Sequence, residues 1–142
     1  MSSRRKGRIL AFQALYCWES SGAPVEELGE FSWLGEKRAA LDESVAAFSR
    51  LLFSGAVENV EEIDAMIRAH LQNWDITRLS RVDLAILRMS VYALMYQGEI
   101  APSIVIDEAI GISREFGADD SFRFVNGVLD GIRRTLLARG TE

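Results

Sequence analysis

The chain has 142 residues, of which 49% are hydrophobic and 26% are charged, with two prolines. This length suits one compact domain with its own core, and the composition excludes a long disordered chain. The single cysteine, Cys17, excludes an internal disulfide and gives no sign of an oxidising compartment.

The net charge of −5 is unevenly distributed along the chain. The first eight residues hold four cations and no acid, namely Arg4, Arg5, Lys6 and Arg8. The remaining 134 residues hold 12 of the 16 cations and all 21 acids, which gives them a charge of −9. A basic tip on an acidic body indicates a contact with a polyanion at that end.

The same basic tip precedes an apolar stretch, residues 9–18, and so loosely resembles a signal peptide. Gln13 interrupts the stretch, and no small-x-small cleavage site follows it. No other segment approaches the roughly 20 apolar residues that span a bilayer. We therefore expect a cytoplasmic protein with no membrane role.

The first predicted helix runs from about Arg4 to Ser20, and Gly22 and Pro24 stop it. A short helical piece over residues 25–34, bounded by Gly35, is expected next.

The third predicted helix has apolar residues at spacings of i, i+4, i+7 and i+11, which places them on one face: Leu41, Val45, Phe48 and Leu52. Asn59, with Glu62 three residues later, predicts a capped start for another helix. That helix should bury Val60, Ile63, Ile67 and Leu71. A junction follows over residues 74–79.

Ser80 and Asp83 predict a second capped helix start, because a side-chain oxygen there accepts from free amide donors. The helix that follows is apolar on more than one face and ends at Gly98, so we expect it to be central and mostly buried.

Two further helices are predicted, one from Pro102 to Gly117 and one from Asp120 or Ser121 onwards. In the last helix Gly127 and Gly131 each cost roughly 1 kcal/mol relative to alanine, which the close approach of another helix would explain. The predicted fold class is all-α, with about seven helices.

Residues for catalysis are nearly absent from the sequence. It has one histidine, His70, no Cys/His cluster with metal-ligand spacing, and no glycine-rich phosphate loop. Cys17 lies in an apolar helix and is expected to be an inert thiol. We expect no enzyme activity, no cofactor and no metal.

The basic N-terminus is the most informative feature. Cations at a helix N-terminus oppose the macrodipole, so an external anion such as phosphate would explain them. Further along the helix, Gln13 and Tyr16 offer an amide and an aromatic ring to unpaired bases. The alternative, a solvated basic terminus with Tyr16 in the core, stays open. If phosphate is the anion that these cations bind, replacing Arg5 and Arg8 with alanine should weaken RNA binding without lowering thermal stability.

The start of the last helix carries a second basic and aromatic group. Arg123 lies in its first turn, where the helix dipole again disfavours a cation. Phe122 and Phe124 lie about 200° apart around the helix, so one of them is expected to be exposed.

Several ordered motifs resemble the NusB family of transcription antitermination factors over nearly the whole chain. They are RRKGRILAFQALY at 4–16, RLSRVDLAILRMSVYAL at 78–94, IDEAI at 106–110, EFG at 115–117 and DSFRFVNGVLD at 120–130. The resemblance implies two stacked helical sub-bundles, over about residues 1–57 and 58–142.

The resemblance also implies binding to boxA, a short single-stranded RNA element, together with the ribosomal protein NusE, in support of RNA polymerase. It assigns RNA binding to the four N-terminal cations and to Arg123 and Phe124. It assigns NusE contact to Leu79 and Asp83, although a capping role for Asp83 stays open. Gly7 stands where the family often has alanine, which should loosen the basic segment until RNA orders it.

Two other functions are compatible with parts of the sequence. One is the helical domain appended to RNA-modifying methyltransferases, which resembles NusB, but neither a cofactor loop nor a catalytic cysteine motif is present. The other is a protein-interaction module with an incidental basic tip. The sequence leaves open whether the free protein is a monomer or a dimer.

Overall fold

A computed structural model describes residues 2–72 and 75–140. In this part of the chain there are seven α-helices and no strand, which confirms the predicted all-α class. The α-helices are α1 (Ser3–Ser21), α2 (Val25–Leu28), α3 (Glu43–Glu58), α4 (Val60–Ala69), α5 (Arg81–Tyr96), α6 (Pro102–Phe116) and α7 (Ser121–Gly140). Short 3-10 helices cover Ser32–Ala40 and Ile76–Arg78. None of these helices is both long enough and apolar enough to cross a membrane. Trp74, at the predicted junction, lies outside the described residues.

Helix α1 begins and ends as the sequence predicts, within one residue. The Ser2 hydroxyl accepts from the Arg5 amide at 3.1 Å, and Gly22 ends the helix in the left-handed region, with φ 70°. One face of α1 is buried: Leu10, Ala11, Phe12, Ala14 and Leu15. The opposite face stays free for contacts with other molecules.

The segment after α1 is not the single short helix that was predicted over residues 25–34. Helix α2 has four residues, and a 3-10 segment (Ser32–Ala40) follows it with a kink at Gly35. The chain reverses at Phe31, which is fully buried and adopts a positive φ of 61°. Burial of this ring favours a local conformation that helical spacing does not reveal.

Asn59 does not cap α4 through its side chain as predicted. Its amide nitrogen instead donates to the Gly55 carbonyl at 2.8 Å, which satisfies the end of α3. Helix α4 starts directly after this turn. Ile63 and Ile67 are buried in the core as expected, whereas Val60 and Leu71 are half-buried.

Helix α5 is the central helix, as predicted, and packs against α1, α3, α4, α6 and α7. The Ser80 hydroxyl accepts from the Asp83 amide at 3.0 Å and so caps its start. Arg88 is buried in its middle and bonds to Asp64 of α4 and Glu19 of α1. One core therefore connects the early and late helices, and a boundary between sub-bundles near residue 57 stays a prediction.

Only one of the two α7 glycines is explained by close packing. A Cβ on Gly131 would lie 3.1 Å from the His70 ring, whereas nothing lies within 4 Å of one on Gly127. His70 bonds through Nδ1 to the Met66 carbonyl at 2.9 Å and through Nε2 to the Thr135 hydroxyl at 2.7 Å. A ring with both nitrogens engaged is a structural link between α4 and α7.

Candidate nucleic-acid interface

The four N-terminal cations occupy the first two turns of α1 but point in different directions. Arg4 and Lys6 are exposed. Arg5 and Arg8 turn towards α6, where both form ion pairs with Glu108. The Arg8–Glu108 distance is 3.1 Å, and only 10% of the Arg8 side chain is exposed, against 28% for Arg5.

Glu108 corrects the interpretation of the basic tip. The sequence shows no acid beside these cations, but the fold brings one to them from a hundred residues later in the chain. Burial lowers the pKa of Arg8, and the Glu108 carboxylate opposes that effect. Because Arg8 is a buried, paired group, we expect its replacement to lower stability, which differs from the sequence-based expectation for Arg5 and Arg8.

Phe48 of α3 forms the other side of the basic tip. The guanidinium carbons of Arg4 and Arg8 lie 4.4 Å and 5.5 Å from the centroid of its ring, distances typical of cation–π contacts. A Cβ on Gly7 would come within 2.5 Å of this ring. Gly7 therefore lets Phe48 pack on α1, which is a continuous helix at this position. That Gly7 loosens the segment until RNA orders it stays a prediction.

Gln13 and Tyr16 lie on the same open side of α1 as Lys6. Together with the 3-10 segment and Phe116 they line two adjoining cavities of about 400 Å³ and 530 Å³, which we call the α1 groove. Tyr16 is 38% exposed, so the alternative that places it in the core is wrong. An exposed ring beside an amide and a lysine suits an unpaired base and its phosphate.

The start of α7 presents Arg123 and Phe124 to a separate cleft, shared with His70, Gln72, Gly127 and Val128. Arg123 is exposed, and its guanidinium carbon lies 5.5 Å from the centroid of the Phe122 ring. Phe122 and Phe124 are both half-buried, so the prediction that one of them is exposed is wrong. Arg114 covers Phe122 at 4.5 Å, which lowers its exposure.

Leu79 and Asp83 meet Phe124 in a third opening of about 260 Å³, which we call the α5 cleft. Ser80, Asp120 and Ser121 also line it. Asp83 contributes its amide to the cap of α5, while its buried Oδ1 accepts no hydrogen bond from the described residues. Asp83 therefore takes part in the cap through its backbone amide, and a contact between its carboxylate and a partner stays a prediction.

No group of three or more histidine, cysteine or acidic residues in the described part of the chain is placed to hold a metal ion. Burial raises the pKa of the Cys17 thiol, which disfavours the reactive thiolate. Among the described residues, no nucleophilic side chain that lines the three openings is hydrogen-bonded to a base.

Three residues of this surface were not predicted as site residues. Glu108 and Lys37 come from elements far along the chain from the basic tip, and their spacing to it carries no signal. Phe116, at the end of α6, is 37% exposed. Its ring lies 5.2 Å from that of Phe12, at the boundary between core and groove.

Comparison with known proteins provides independent evidence on the family of this chain. The NusB family model matches residues 5–134. A transcription antitermination protein NusB from Treponema pallidum is 50% identical over 132 residues, which cover 93% of this chain and 93% of that protein.

Solved structures agree with this. NusB of T. maritima superposes with a TM-score of 0.83 at 32% identity, over 94% of this chain and 92% of that one. The NusB chain of a NusB–NusE complex with dsRNA gives a TM-score of 0.84 at 30% identity, over 95% of this chain and 98% of that one. This chain therefore belongs to the NusB family.

Proposed function

We propose that this protein is an RNA-binding transcription antitermination factor that acts with NusE. The observation that carries the proposal is the basic tip of α1. Glu108 holds Arg5 and Arg8 in place, and Phe48 packs against Arg4 and Arg8. Arg4 and Lys6 stay exposed, and Lys6 lines the α1 groove. A fixed group of cations on a body charged −9 favours a phosphate backbone at this place and not elsewhere.

We assign the RNA and protein contacts to different openings. The α1 groove and Arg123 bind RNA, with Gln13, Tyr16 and Phe124 at the bases. The α5 cleft, with Leu79 and Asp83, binds NusE. Asp83 is half-buried and lines this cleft, which supports the assignment because its carboxylate can accept a hydrogen bond from a donor of another protein.

We infer that the RNA is boxA-like and single-stranded, because exposed rings such as Tyr16 hold unpaired bases. The related NusB–NusE complex contains dsRNA, so the duplex is the necessary comparison. The protein works in the cytoplasm, supports RNA polymerase, and catalyses no reaction itself. Light scattering at several concentrations distinguishes a free monomer from a homodimer.

The test is a fluorescence titration of three RNAs: a boxA-like strand, a scrambled strand and a duplex, each with and without NusE. We expect the boxA-like strand to bind most tightly and NusE to increase its affinity. Linkage requires RNA to strengthen NusE binding by the same factor. Equal affinity for all three RNAs, with no effect of NusE, would contradict the proposal.

The salt dependence tests the phosphate contacts. Arg4, Lys6 and Arg123 provide about three of them, so log affinity should fall with log salt at a slope of about −2. Replacing both Arg4 and Lys6 with glutamine should reduce the slope by about 1.4. Neither side chain has an acidic partner among the described residues, so the fold should be retained, with only the contact between Arg4 and the Phe48 ring lost. A slope near zero would show that phosphates are not the ligand.

A further inference from the structure

Arg5 is only partly satisfied by its partner Glu108. Its Nε donates to the Glu108 carboxylate, whereas its two terminal nitrogens donate to no group among the described residues. These nitrogens lie over Gly111 of α6, where a Cβ would come within 2.6 Å of Nη2. Because an arginine has five N–H donors and 28% of this side chain is exposed, Arg5 could bind a further anion if it left α6.

The two oxygens of Glu108 serve two different arginines. One accepts from Arg5, and the other accepts from Nη1 of Arg8 at 3.1 Å. Arg8 is almost buried and packs against the Phe48 ring, so its bond fixes the carboxylate in place. An RNA phosphate that competes for Arg5 must order a flexible strand, whereas this carboxylate is already ordered. The internal anion therefore has the advantage at Arg5.

Arg5 stands between the two exposed cations of the basic tip in the sequence but not in space. Consecutive residues of a helix point about 100° apart, and Arg5 points towards α6. Arg4 and Lys6 are exposed, and neither pairs with Glu108. A phosphate backbone at the tip therefore meets Arg4 and Lys6 directly, but meets Arg5 only if Glu108 releases it.

We propose that Glu108 withholds Arg5 from RNA and so limits the affinity of this protein for any strand that binds the basic tip. This inference rests on the proposed function and adds an inhibitory residue to it. Glu108 is an internal anion in the place that an RNA phosphate would otherwise take. The bound strand is consequently held by fewer cations than the sequence offers.

The first test is Glu108→Gln, which keeps an oxygen acceptor for Arg8 but removes the charge that holds Arg5. We expect a boxA-like strand to bind several-fold more tightly, with the salt slope changing from about −2 to about −3 because one more phosphate contact is made. The control is Asp107→Asn, since Asp107 is exposed on the same helix and has no ion pair among the described residues. It should leave the slope unchanged. An equal gain from both variants would overturn the proposal, because loss of any negative charge would then explain it.

The second test places Arg5→Gln in two backgrounds. In the wild-type background it should leave the salt slope unchanged, because Arg5 makes no phosphate contact there. In the Glu108→Gln background it should reduce the steepness of the slope by about 0.7. A reduction of that size in the wild-type background would show that Arg5 already contacts RNA, and would overturn the proposal.

A scrambled strand shows whether the gain comes from the phosphate backbone. Phosphate contacts carry no sequence information, so Glu108→Gln should tighten binding of the scrambled and boxA-like strands by the same factor. A gain confined to the boxA-like strand would show that the substitution reshapes a base-binding site instead, and the proposal would be wrong.

The wild-type protein provides a readout that does not depend on the folding of any Glu108 variant. The Nε–H signal of Arg5 in a nitrogen–proton NMR spectrum, assigned by its loss in Arg5→Gln, should keep its position when RNA saturates the protein. A large shift of this signal would overturn the proposal. If Glu108→Gln binds RNA as the wild type does while Arg4→Gln binds more weakly, the role of Glu108 is wrong and the proposed function stands. If Arg4→Gln has no effect either, both are wrong.

Discussion

The cations of the basic tip divide into two pairs with different contacts. Glu108 holds Arg5 and Arg8 against α6, and Gly111 allows it, since a Cβ there would lie within 3 Å of the Arg5 guanidinium. Arg4 packs only on the Phe48 ring, neither Arg4 nor Lys6 pairs with Glu108, and both are exposed. If the proposed function holds, stability and RNA binding therefore depend on different members of one short cluster.

The first prediction concerns Arg8→Ala. It should lower the free energy of unfolding by about 2 kcal/mol, because it leaves the half-buried Glu108 with one partner and removes packing from Phe48. Urea unfolding measures this, with Lys6→Ala as the control within about 0.5 kcal/mol of wild type. In a Glu108→Ala background the cost of Arg8→Ala should fall by about 1 kcal/mol. An equal cost in both backgrounds would show that the ion pair is not the cause.

The second prediction compares two helical glycines. Gly127→Ala should raise the free energy of unfolding by about 0.5–1 kcal/mol, since its Cβ would meet only open space. Gly7→Ala should lower it by about 1 kcal/mol, because the new methyl group displaces the Phe48 ring. Thermal unfolding of both variants measures the difference. A stabilised Gly7→Ala would show that Phe48 moves aside without loss.

At the scale of elements, helix starts are set by local chemistry. Ser2, Asp42 and Ser80 each accept an amide hydrogen bond from two or three residues ahead. Asp42 accepts from both the hydroxyl and the amide of Ser44, and these bonds hold the pKa of its carboxyl below the usual value. A cap of this kind adds a pH-dependent contribution to one helix start.

The third prediction concerns Asp42→Asn, which keeps an acceptor at the cap but removes the charge. Because the pKa of Asp42 is depressed in the folded protein, its charge stabilises the fold above about pH 4 and the effect is lost as the pH falls through the folded-state pKa. Wild type should therefore have the higher Tm at neutral pH. The two melting temperatures should converge in acid. A constant gap down to the lowest pH would contradict the assignment.

At the scale of the whole molecule, Arg88 connects three helices through one guanidinium. It forms two bonds to Asp64, at 3.0 Å and 2.9 Å, and one to Glu19 at 3.1 Å, and it lies 5.7 Å from the centroid of the Trp18 ring. Burial acts to lower the pKa of Arg88, but the bonds to the two carboxylates outweigh it and raise the pKa. This network fixes α1 and α4 against α5.

The fourth prediction follows from the unequal burial of the two acids. Asp64→Ala should lower the free energy of unfolding by about 3 kcal/mol, because Arg88 is then a buried charge without its main partner. Glu19→Ala should cost less than about 1 kcal/mol, since 37% of the Glu19 side chain is exposed. The double variant Arg88→Met/Asp64→Leu should recover most of the loss. Urea unfolding that ranks Glu19→Ala as the more damaging change would contradict this account.

The sequence alone determined the all-α class, the extent of α1 and the central position of α5. Several ordered motifs in it also indicated membership of the NusB family. These follow from helical periodicity, from caps and glycine stops, and from residue order, all of which are local along the chain. It also singled out Arg4, Lys6, Gln13 and Tyr16 as candidate RNA-binding residues, because a run of cations without neighbouring acids and a ring on the same helix are visible in one short stretch.

Tertiary structure decided what those residues touch. Glu108 lies a hundred residues from the arginines it pairs with, Phe48 reaches Gly7 from another helix, and Lys37 lines the same groove as residues of α1. None of these contacts has a signature in local spacing, since they arise only when distant elements pack against α1. The run of cations in the sequence predicts an anion at this end of the molecule, and packing decides which of those cations are exposed.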